Sequence, residues 1–508
     1  MNTVKRNLAA NLIGGLWSSA LSLLFIPTYL RYLGVEAYGL IGFYATLQAI
    51  FGLFDLGLGA TLNRTIARLS ADPQSQQQQA DLLRTFELIY HSIAFTLGLL
   101  MFFGAPVIAH RWVHVQTLPL QQVTTAIRLM AVVSAFQFPF ALYQAGLLGL
   151  QRHVLLNIIT IVCATLRGAG AVLILMFVSR SIVGFFAWQV LITAVQTTVM
   201  FVLIWSILGR LAQAQFSWKI LHGEWRFAAS ISANSLVGAF ITQADKVTLS
   251  GIAPLKELGY YSVAATVAAA LWFIILPVNT AVYPRFAQLL AVKDEPAVAD
   301  VFHKACQTVA LLVLPAGVTL ALFAHAVVEV WTGNPITADH AGLIVPLLVT
   351  GTTLYGLSSV PAYLQFAAGW PQLTLYTNIV CAVILVPATV YAVGVFGAPG
   401  AALVWLLVNG AYFVPATLMF RRIIPAERRR WYVRDLGLPL TVATAAGLLA
   451  RVLEPAHLDR ALTAAYIIAS GVFVFAAVFA VIPDVRTIVV SRLRAWIAPG
   501  NAARLDAL

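Results

Sequence analysis

Arg128 and Arg167 each stand inside an apolar stretch long enough to cross a bilayer as a helix, a setting where a charge is costly and usually functional. Arg167 lies about thirteen residues into its stretch, roughly 20 Å from its start at 1.5 Å per residue, which puts it near mid-membrane. Gly168-Ala169-Gly170 follow it, small residues that would leave room beside the guanidinium. A guanidinium keeps its charge on burial and offers a planar fork of donors matched to phosphate oxygens. Both arginines therefore admit two readings: phosphate ligands, or structural groups bonded to carbonyls or to a carboxylate on another helix.

Three further charges fall within apolar stretches. Asp55 belongs to Phe51-Gly52-Leu53-Phe54-Asp55-Leu56-Gly57-Leu58-Gly59, about a turn from the end of its stretch. It can bond a backbone break at the glycines, pair with Arg64, or carry a coupling ion. Asp245 and Lys246 are adjacent, so they point to different faces of a helix and do not simply neutralise each other. Structural pairing and a proton- or ion-coupling role both remain open for them. His325 and Glu329 share a helix face at i, i+4, but with no third ligand in view they form an interfacial pair rather than a metal site.

The elements that must position these residues are membrane helices. The chain has 508 residues, 60% hydrophobic and only 10% charged, which excludes a soluble globular or disordered protein. Fourteen apolar stretches are expected to span, beginning with Leu8–Leu30 and Tyr38–Ala60. Arg128 lies in Leu120–Leu148, Arg167 in Val154–Phe177 and Asp245 in Phe227–Ser250; the last two spans are Leu436–Leu453 and Ala461–Ile482. With the N-terminus inside, 22 of the 31 Lys and Arg fall in cytoplasmic segments and the other 9 in outside loops or within spans. That is the positive-inside distribution, and it leaves both termini cytoplasmic. Topology thus accounts for the net charge of +12, and no nucleic-acid module is present. The stretches are too long and too uniformly apolar for a β-barrel, so the fold class is all-α and polytopic. The first stretch is too long for a signal peptide and lacks a small-residue cleavage site, so it is expected to be retained.

The three cysteines fall within spans at no metal spacing and are expected to be small core residues. Prolines recur within the stretches, at Pro27, Pro139, Pro277, Pro315, Pro346, Pro361, Pro387 and Pro415. Membrane helices tolerate them, and some of the set could bend helices around a cavity. There is no P-loop to drive transport with ATP, and no carboxylate or His cluster in an outside loop large enough to fold over a glycan. The chain is therefore not expected to be an enzyme.

A weak internal repeat pairs Leu33-Gly34-Val35-Glu36-Ala37-Tyr38-Gly39 with Leu255-Lys256-Glu257-Leu258-Gly259-Tyr260-Tyr261, and Arg64 with Arg285 at the same offset. Six spans separate the copies, so they run in the same direction, as in parallel transporter repeats. The stretch Phe54-Asp55-Leu56-Gly57-Leu58-Gly59 with Arg64 resembles the second-span motif of polysaccharide-biosynthesis flippases, part of the multidrug/oligosaccharidyl-lipid/polysaccharide exporter superfamily. The turn Tyr32-Leu33-Gly34 through Ala37-Tyr38-Gly39 is similar to theirs, as are Asp245-Lys246, Leu258-Gly259-Tyr260-Tyr261-Ser262 and Tyr283-Pro284-Arg285. The resemblance is strongest over residues 8–70 and 227–290.

The resemblance implies two six-helix lobes around a central cavity, residues 1–222 and 223–422, with residues 423–508 adding two spans and a cytoplasmic tail. It implies a flippase that moves undecaprenyl-pyrophosphate-linked oligosaccharide from the cytoplasmic to the periplasmic leaflet of the bacterial inner membrane, for O-antigen, capsule or exopolysaccharide. Arg128 and Arg167 would then face the pyrophosphate, and Arg64 and Arg285 would guard the cytoplasmic mouth. Asp55, Asp245 and Lys246 would be the candidates for coupling to a proton or sodium gradient. No cofactor is expected; the partners would be the lipid-linked oligosaccharide, membrane lipids, and polysaccharide polymerase and chain-length machinery. A drug or cation antiporter of the same superfamily, or an integral membrane glycan-transferring enzyme, are the alternatives.

Overall fold

A computed structural model describes residues 2–209, 213–482 and 486–487, and these form helices joined by short turns. Among the described residues the sole β-type pairing is an isolated bridge between His114 and Pro254. The chain divides into two compact units, Met1–Gly259 and Tyr260–Leu508.

The first unit opens with α1 (Asn2–Leu53), which is interrupted at Gly34, where φ 79° and ψ 166° are open to glycine but not to a residue with a Cβ. The expected spans Leu8–Leu30 and Tyr38–Ala60 therefore lie on either side of one non-helical residue. A second interruption separates α1 from α2 (Leu58–Leu69) at a bend of 57°. Leu56 and Gly57 both have positive φ there, and Asp55 accepts hydrogen bonds from the Gly59 N–H (3.2 Å) and from the Tyr90 hydroxyl. Then come α3 (Gln76–Arg111), α4 (Leu120–Gly149), α5 (His153–Phe177), α6 (Ile182–Leu208) and α7 (Trp218–Ile252). Helix α4 is the centre of this unit, packed on α2, α3 and α6. Helix α5 lies against α1 and α6 and leaves Ile158, Val162, Leu166 and Leu173 exposed, as a helix bordering hydrocarbon can. Helix α7, expected to open the second lobe, makes its contacts with α1, α2 and α3.

Two side chains lock this unit from opposite ends of the sequence. Glu36 is buried and accepts from the backbone N–H groups of Gln116, Thr117 and Leu118 and from the Thr117 hydroxyl, pinning the turn between α3 and α4. The hydroxyl of Ser217 accepts from the Ile220 N–H and starts α7.

Helix α8 (Leu255–Ala269) leads into the second unit and is followed, after a 41° bend, by α9 (Trp272–Ala291). Neither bend above 40° between successive helices falls at a proline; backbone breaks cause both. The unit continues with α10 (Glu295–Leu322), α11 (Ala324–Thr332), α12 (Pro335–Ala367), α13 (Gln372–Phe396), α14 (Ala398–Ala411) and α15 (Phe413–Met419). Asp294 and Asn334 cap α10 and α12, each with proline in the first turn, where no N–H is needed. A single turn, α16 (Arg428–Arg430), runs into a π-helical turn over Trp431–Gly437 and then α17 (Leu438–Val452) and α18 (Arg460–Val481). These last two helices, expected as appended spans, pack on each other and on α10.

Ten of the helices are long and apolar enough to cross a membrane, and twelve spans result when each bent pair counts as one, among the described residues. The protein is an all-α, polytopic membrane protein. The remaining two expected spans, Leu8–Leu30 and Phe227–Ser250, lie on α1 before Gly34 and on α7.

Close approach between α4 and α2 depends on Gly149, where a Cβ would stand 2.7 Å from the Asn63 carbonyl oxygen and 3.0 Å from the Ile66 Cβ. Backbone cannot yield as a side chain can, so Gly149→Ala is expected to destabilise the protein by about 1–3 kcal/mol. Gly104→Ala, whose added carbon would meet only the end of Ile108, should leave the melting temperature unchanged or slightly raised. Thermal denaturation of the two purified variants in the same detergent compares them directly.

Candidate functional site

The first unit contains an open-sided cavity of about 550 Å³ between α1, α4, α5 and α6. Its one charged lining residue, among the described residues, is Arg167 on α5. Around it the polar lining is neutral: Gln137 and Gln144 on α4, Gln189 and Gln196 on α6, Tyr29 and Tyr44 on α1. Phe25, Phe140 and Phe185 supply apolar wall. Two aromatic contacts stiffen that wall, Tyr29 edge-on to Phe185 and Tyr44 edge-on to Phe186.

Helix α6 presents the groups that hold the guanidinium. Arg167 Nη2 donates to Gln196 Oε1 at 2.6 Å and, more weakly, to Thr193 Oγ1 at 3.5 Å, while Nε is buried with no acceptor. Both partners are neutral, and no carboxylate lies within ion-pair distance of Arg167 among the described residues. No acidic side chain therefore neutralises this charge among the described residues, and one of its donors has no acceptor. The glycines after Arg167 do not make space for it. A Cβ at Gly168 would stand 2.5 Å from the Phe25 ring, and one at Gly170 2.2 Å from the Trp188 ring, so these glycines admit neighbouring aromatic side chains.

The other expected site residues lie elsewhere. Arg128 is exposed on α4, stacked over the Phe102 ring with its guanidinium carbon 5.5 Å from the centroid, and does not line the cavity. A cation over an aromatic face gains a modest attraction. Arg64 and Arg285 are exposed on α2 and α9, the latter 3.5 Å from the Gln288 amide oxygen. Asp55 is half-buried in the α1–α2 break, bonded as described above. Asp245 is buried on α7 and accepts from the Lys246 backbone N–H at 2.8 Å, while Lys246 itself is half-buried. Thus the cavity takes one of the seven, and the rest are dispersed. His325 pairs with Asp339 at 2.9 Å and with Glu329 at 3.7 Å beside a polar surface depression in the second unit, whose other charges, Arg451 and Glu454, pair with each other.

Two features escaped the sequence reading. The cavity glutamines form pairs seven residues apart, 137 with 144 and 189 with 196, two turns along one helix face. That spacing is a usable signal, but charge drew attention first. The second is Glu87, at the edge of an expected span and so treated as a boundary. It is buried, and it joins three helices by accepting from Tyr143 at 2.7 Å on α4, from Trp205 Nε1 at 3.1 Å on α6, and from Arg84 at 2.8 Å on α3.

The family model described as "Polysaccharide biosynthesis protein" matches residues 4–290, more than half of the chain. The chain belongs to that family. It is thereby a member of the multidrug/oligosaccharidyl-lipid/polysaccharide exporter superfamily, and a second model, MatE, matches residues 231–392. A Shigella flexneri protein named "Putative O-antigen transporter" is 21% identical over 403 residues, covering 79% of this chain and 94% of that protein. In fold the chain is similar to the lipid II flippase MurJ in an inward closed conformation, with a TM-score of 0.70 at 12% identity, covering 95% of this chain and 99% of that one. It is also similar to an inward-facing multidrug resistance MATE transporter, with a TM-score of 0.63 at 13% identity over 83% of this chain and 96% of that one.

Replacing Glu87 tests whether it is a structural tie. Glu87→Ala leaves the Tyr143 hydroxyl and the Trp205 N–H without their acceptor, at about 1–3 kcal/mol for each. The expected result is a clear drop in melting temperature and in membrane yield, with Glu87→Gln, which keeps an acceptor oxygen, intermediate. Fluorescence-detected size exclusion after a temperature series measures both.

Proposed function

We propose that this protein translocates a polyprenyl-pyrophosphate-linked oligosaccharide from the cytoplasmic to the periplasmic leaflet of a bacterial inner membrane, by alternating access. The observation that carries this reading is Arg167: a cation in a walled cavity, held by neutral groups, with donor capacity to spare. Of the parts of such a substrate, the pyrophosphate most resists leaving water, because an unpaired charge in hydrocarbon is very costly. A guanidinium replaces lost hydration with charge-assisted hydrogen bonds, roughly twice as strong as neutral ones. An arriving phosphate oxygen would outcompete the Gln196 amide for the fork, and the released amide, with Gln137, Gln144 and Gln189, could bond sugar hydroxyls. The cavity volume suits the headgroup and its first sugars, and the polyprenyl tail would remain in lipid.

Under this reading Arg64 and Arg285, both exposed, attract the polyanionic headgroup at long range and are screened by salt. Arg128 has no part in the path. Asp55, Asp245 and Lys246 remain the candidates for a coupling proton or sodium ion, with Asp245 favoured by its burial. Both termini are cytoplasmic, the product feeds O-antigen, capsule or exopolysaccharide assembly, and the polymerase and chain-length machinery are the partners that receive it.

The MatE match and the MATE-like fold favour a second reading, export of a cationic drug. A cavity for a cation calls for an acidic lining, and no Asp or Glu lines this one among the described residues.

The test is transbilayer movement of a fluorescent lipid-linked saccharide in proteoliposomes. Arg167→Ala is expected to slow flipping at least tenfold at equal protein level, with Arg167→Lys partly active, since an ammonium keeps the charge but not the fork. Arg128→Ala should flip at the wild-type rate. Normal flipping by Arg167→Ala would remove the group on which the proposal stands, and drug sensitivity of a deletion strain without loss of surface polysaccharide would favour the second reading.

A further inference from the structure

The first turns of α10 bury a histidine between two carboxylates. His303 has no exposed side-chain surface; its Nδ1 bonds Asp435, and its Nε2 is 2.8 Å from Glu427 Oε2. Asp435 is likewise fully buried and accepts a second hydrogen bond from Gln307 Nε2 at 2.9 Å, whereas Glu427 is 28% exposed. The two carboxylates come from the short segment that leads into α17. Glu427 ends a 3₁₀ turn over Pro425–Glu427, and Asp435 sits in the π-helical turn over Trp431–Gly437. Such turns are uncommon and often accompany functional positions. Between the two acids the buried Trp431 ring lies 5.3 Å from Phe420, which in turn contacts Phe302 beside the histidine.

Proton counting makes this cluster informative. A neutral imidazole carries one N–H and one lone pair. Each of its nitrogens here faces a carboxylate oxygen, and a carboxylate only accepts. Both hydrogen bonds can exist together only if the cluster holds one proton beyond a neutral imidazole and two carboxylates, either on the ring or on one of the acids. Because the acids lie at opposite edges of the ring, they cannot converge on a metal ion.

We propose that His303, Asp435 and Glu427 form a proton-binding site, and that the bound proton docks the Pro425–Gly437 segment onto α10. Glu427, reaching solvent, is the route by which the proton enters and leaves. When it leaves, two negative charges flank a neutral ring, one bond becomes a repulsion, and the segment that anchors α17 is released. Other charged groups surround the cluster. On α10, Lys304 is engaged with Asp300 at 2.7 Å, and Cys306, set against Asp435, is a thiol. Within the segment Arg428, Arg429, Tyr432 and Arg434 are exposed and Arg430 is half-buried, and on α9 Arg285 is exposed. On α11, α12, α17 and α18 the charged groups are His325, Glu329, Asp339, His340, Arg451 and Arg460, all at the opposite end of α10.

This inference is independent of what the protein transports, and its test needs no substrate. Hydrogen–deuterium exchange on the full-length protein in nanodiscs would follow the peptide covering residues 425–437 at two pH values as far apart as the folded protein tolerates, corrected for intrinsic exchange. The docked form holds one more proton than the released form, so docking weakens as pH rises, by up to about tenfold in equilibrium constant per pH unit. The expected result is loss of protection in this peptide with rising pH while peptides of α4 stay unchanged. Glu427→Gln should stay protected across the range, because the introduced amide can donate to Nε2 and satisfy a neutral ring. Equal wild-type protection at both pH values overturns the proposal, as does an unaltered pH response in the variant. If the variant fails to fold, the wild-type series alone decides.

Discussion

Hydrocarbon offers no hydrogen bonds, so each polar group within a span must find its partner in the protein, at a cost of several kcal/mol if it does not. This constraint organises the described residues more than any single contact. Glu36 takes up the N–H groups of a turn, Asp55 takes up those of a helix break, and Glu87 gathers a tyrosine, a tryptophan and an arginine from three helices. In each case a carboxylate, accepting several bonds at once, holds together backbone or helices that sequence periodicity alone would leave independent. The acids of this chain are few, and much of their work is to fix the positions of helices.

The same constraint separates the two arginines that looked alike in the sequence. Arg128 sits exposed at the helix surface, over a phenylalanine ring. Arg167 resolves its geometry but not its charge: an amide and a hydroxyl orient the fork while leaving the cation unneutralised. A structural arginine is expected to have a carboxylate or several carbonyls around it. Neutral partners hold the group in place without competing strongly against an anion.

Much of the fold was legible because a membrane span is a long, one-dimensional signal. The ends of α4 through α6 and of the appended α17 and α18 fall close to the stretches that hydropathy marks, whereas α3 and the bent pair α8–α9 extend well beyond theirs. What hydropathy could not mark was direction and depth. Arg128 and Arg167 have similar apolar neighbours along the chain, and only the packing of α4 against α3 and of α5 against α6 decides that one meets a ring and the other a cavity. The prolines lie within continuous helices, as membrane helices tolerate, while the two bends above 40° came at Leu56–Gly57 and at the Ala269–Trp272 break. His303 was silent because its two partners lie more than 120 residues away, in a loop whose arginines had a sufficient explanation as topology signals.

That last case bears on how basic loops of membrane proteins should be weighed. The arginines from Arg421 to Arg434 account for orientation, and a reading that stops there treats the segment as an anchor with no internal order. Yet the two acids interspersed among them, Glu427 and Asp435, are the residues that fold the segment back onto α10, and one of them is buried completely. An acid inside a basic loop works against the positive-inside bias only weakly, so topology exerts little pressure to keep or lose it. Its presence at a buried position therefore calls for a local explanation, and here the explanation is the hydrogen bond that ties Asp435 to His303 on α10.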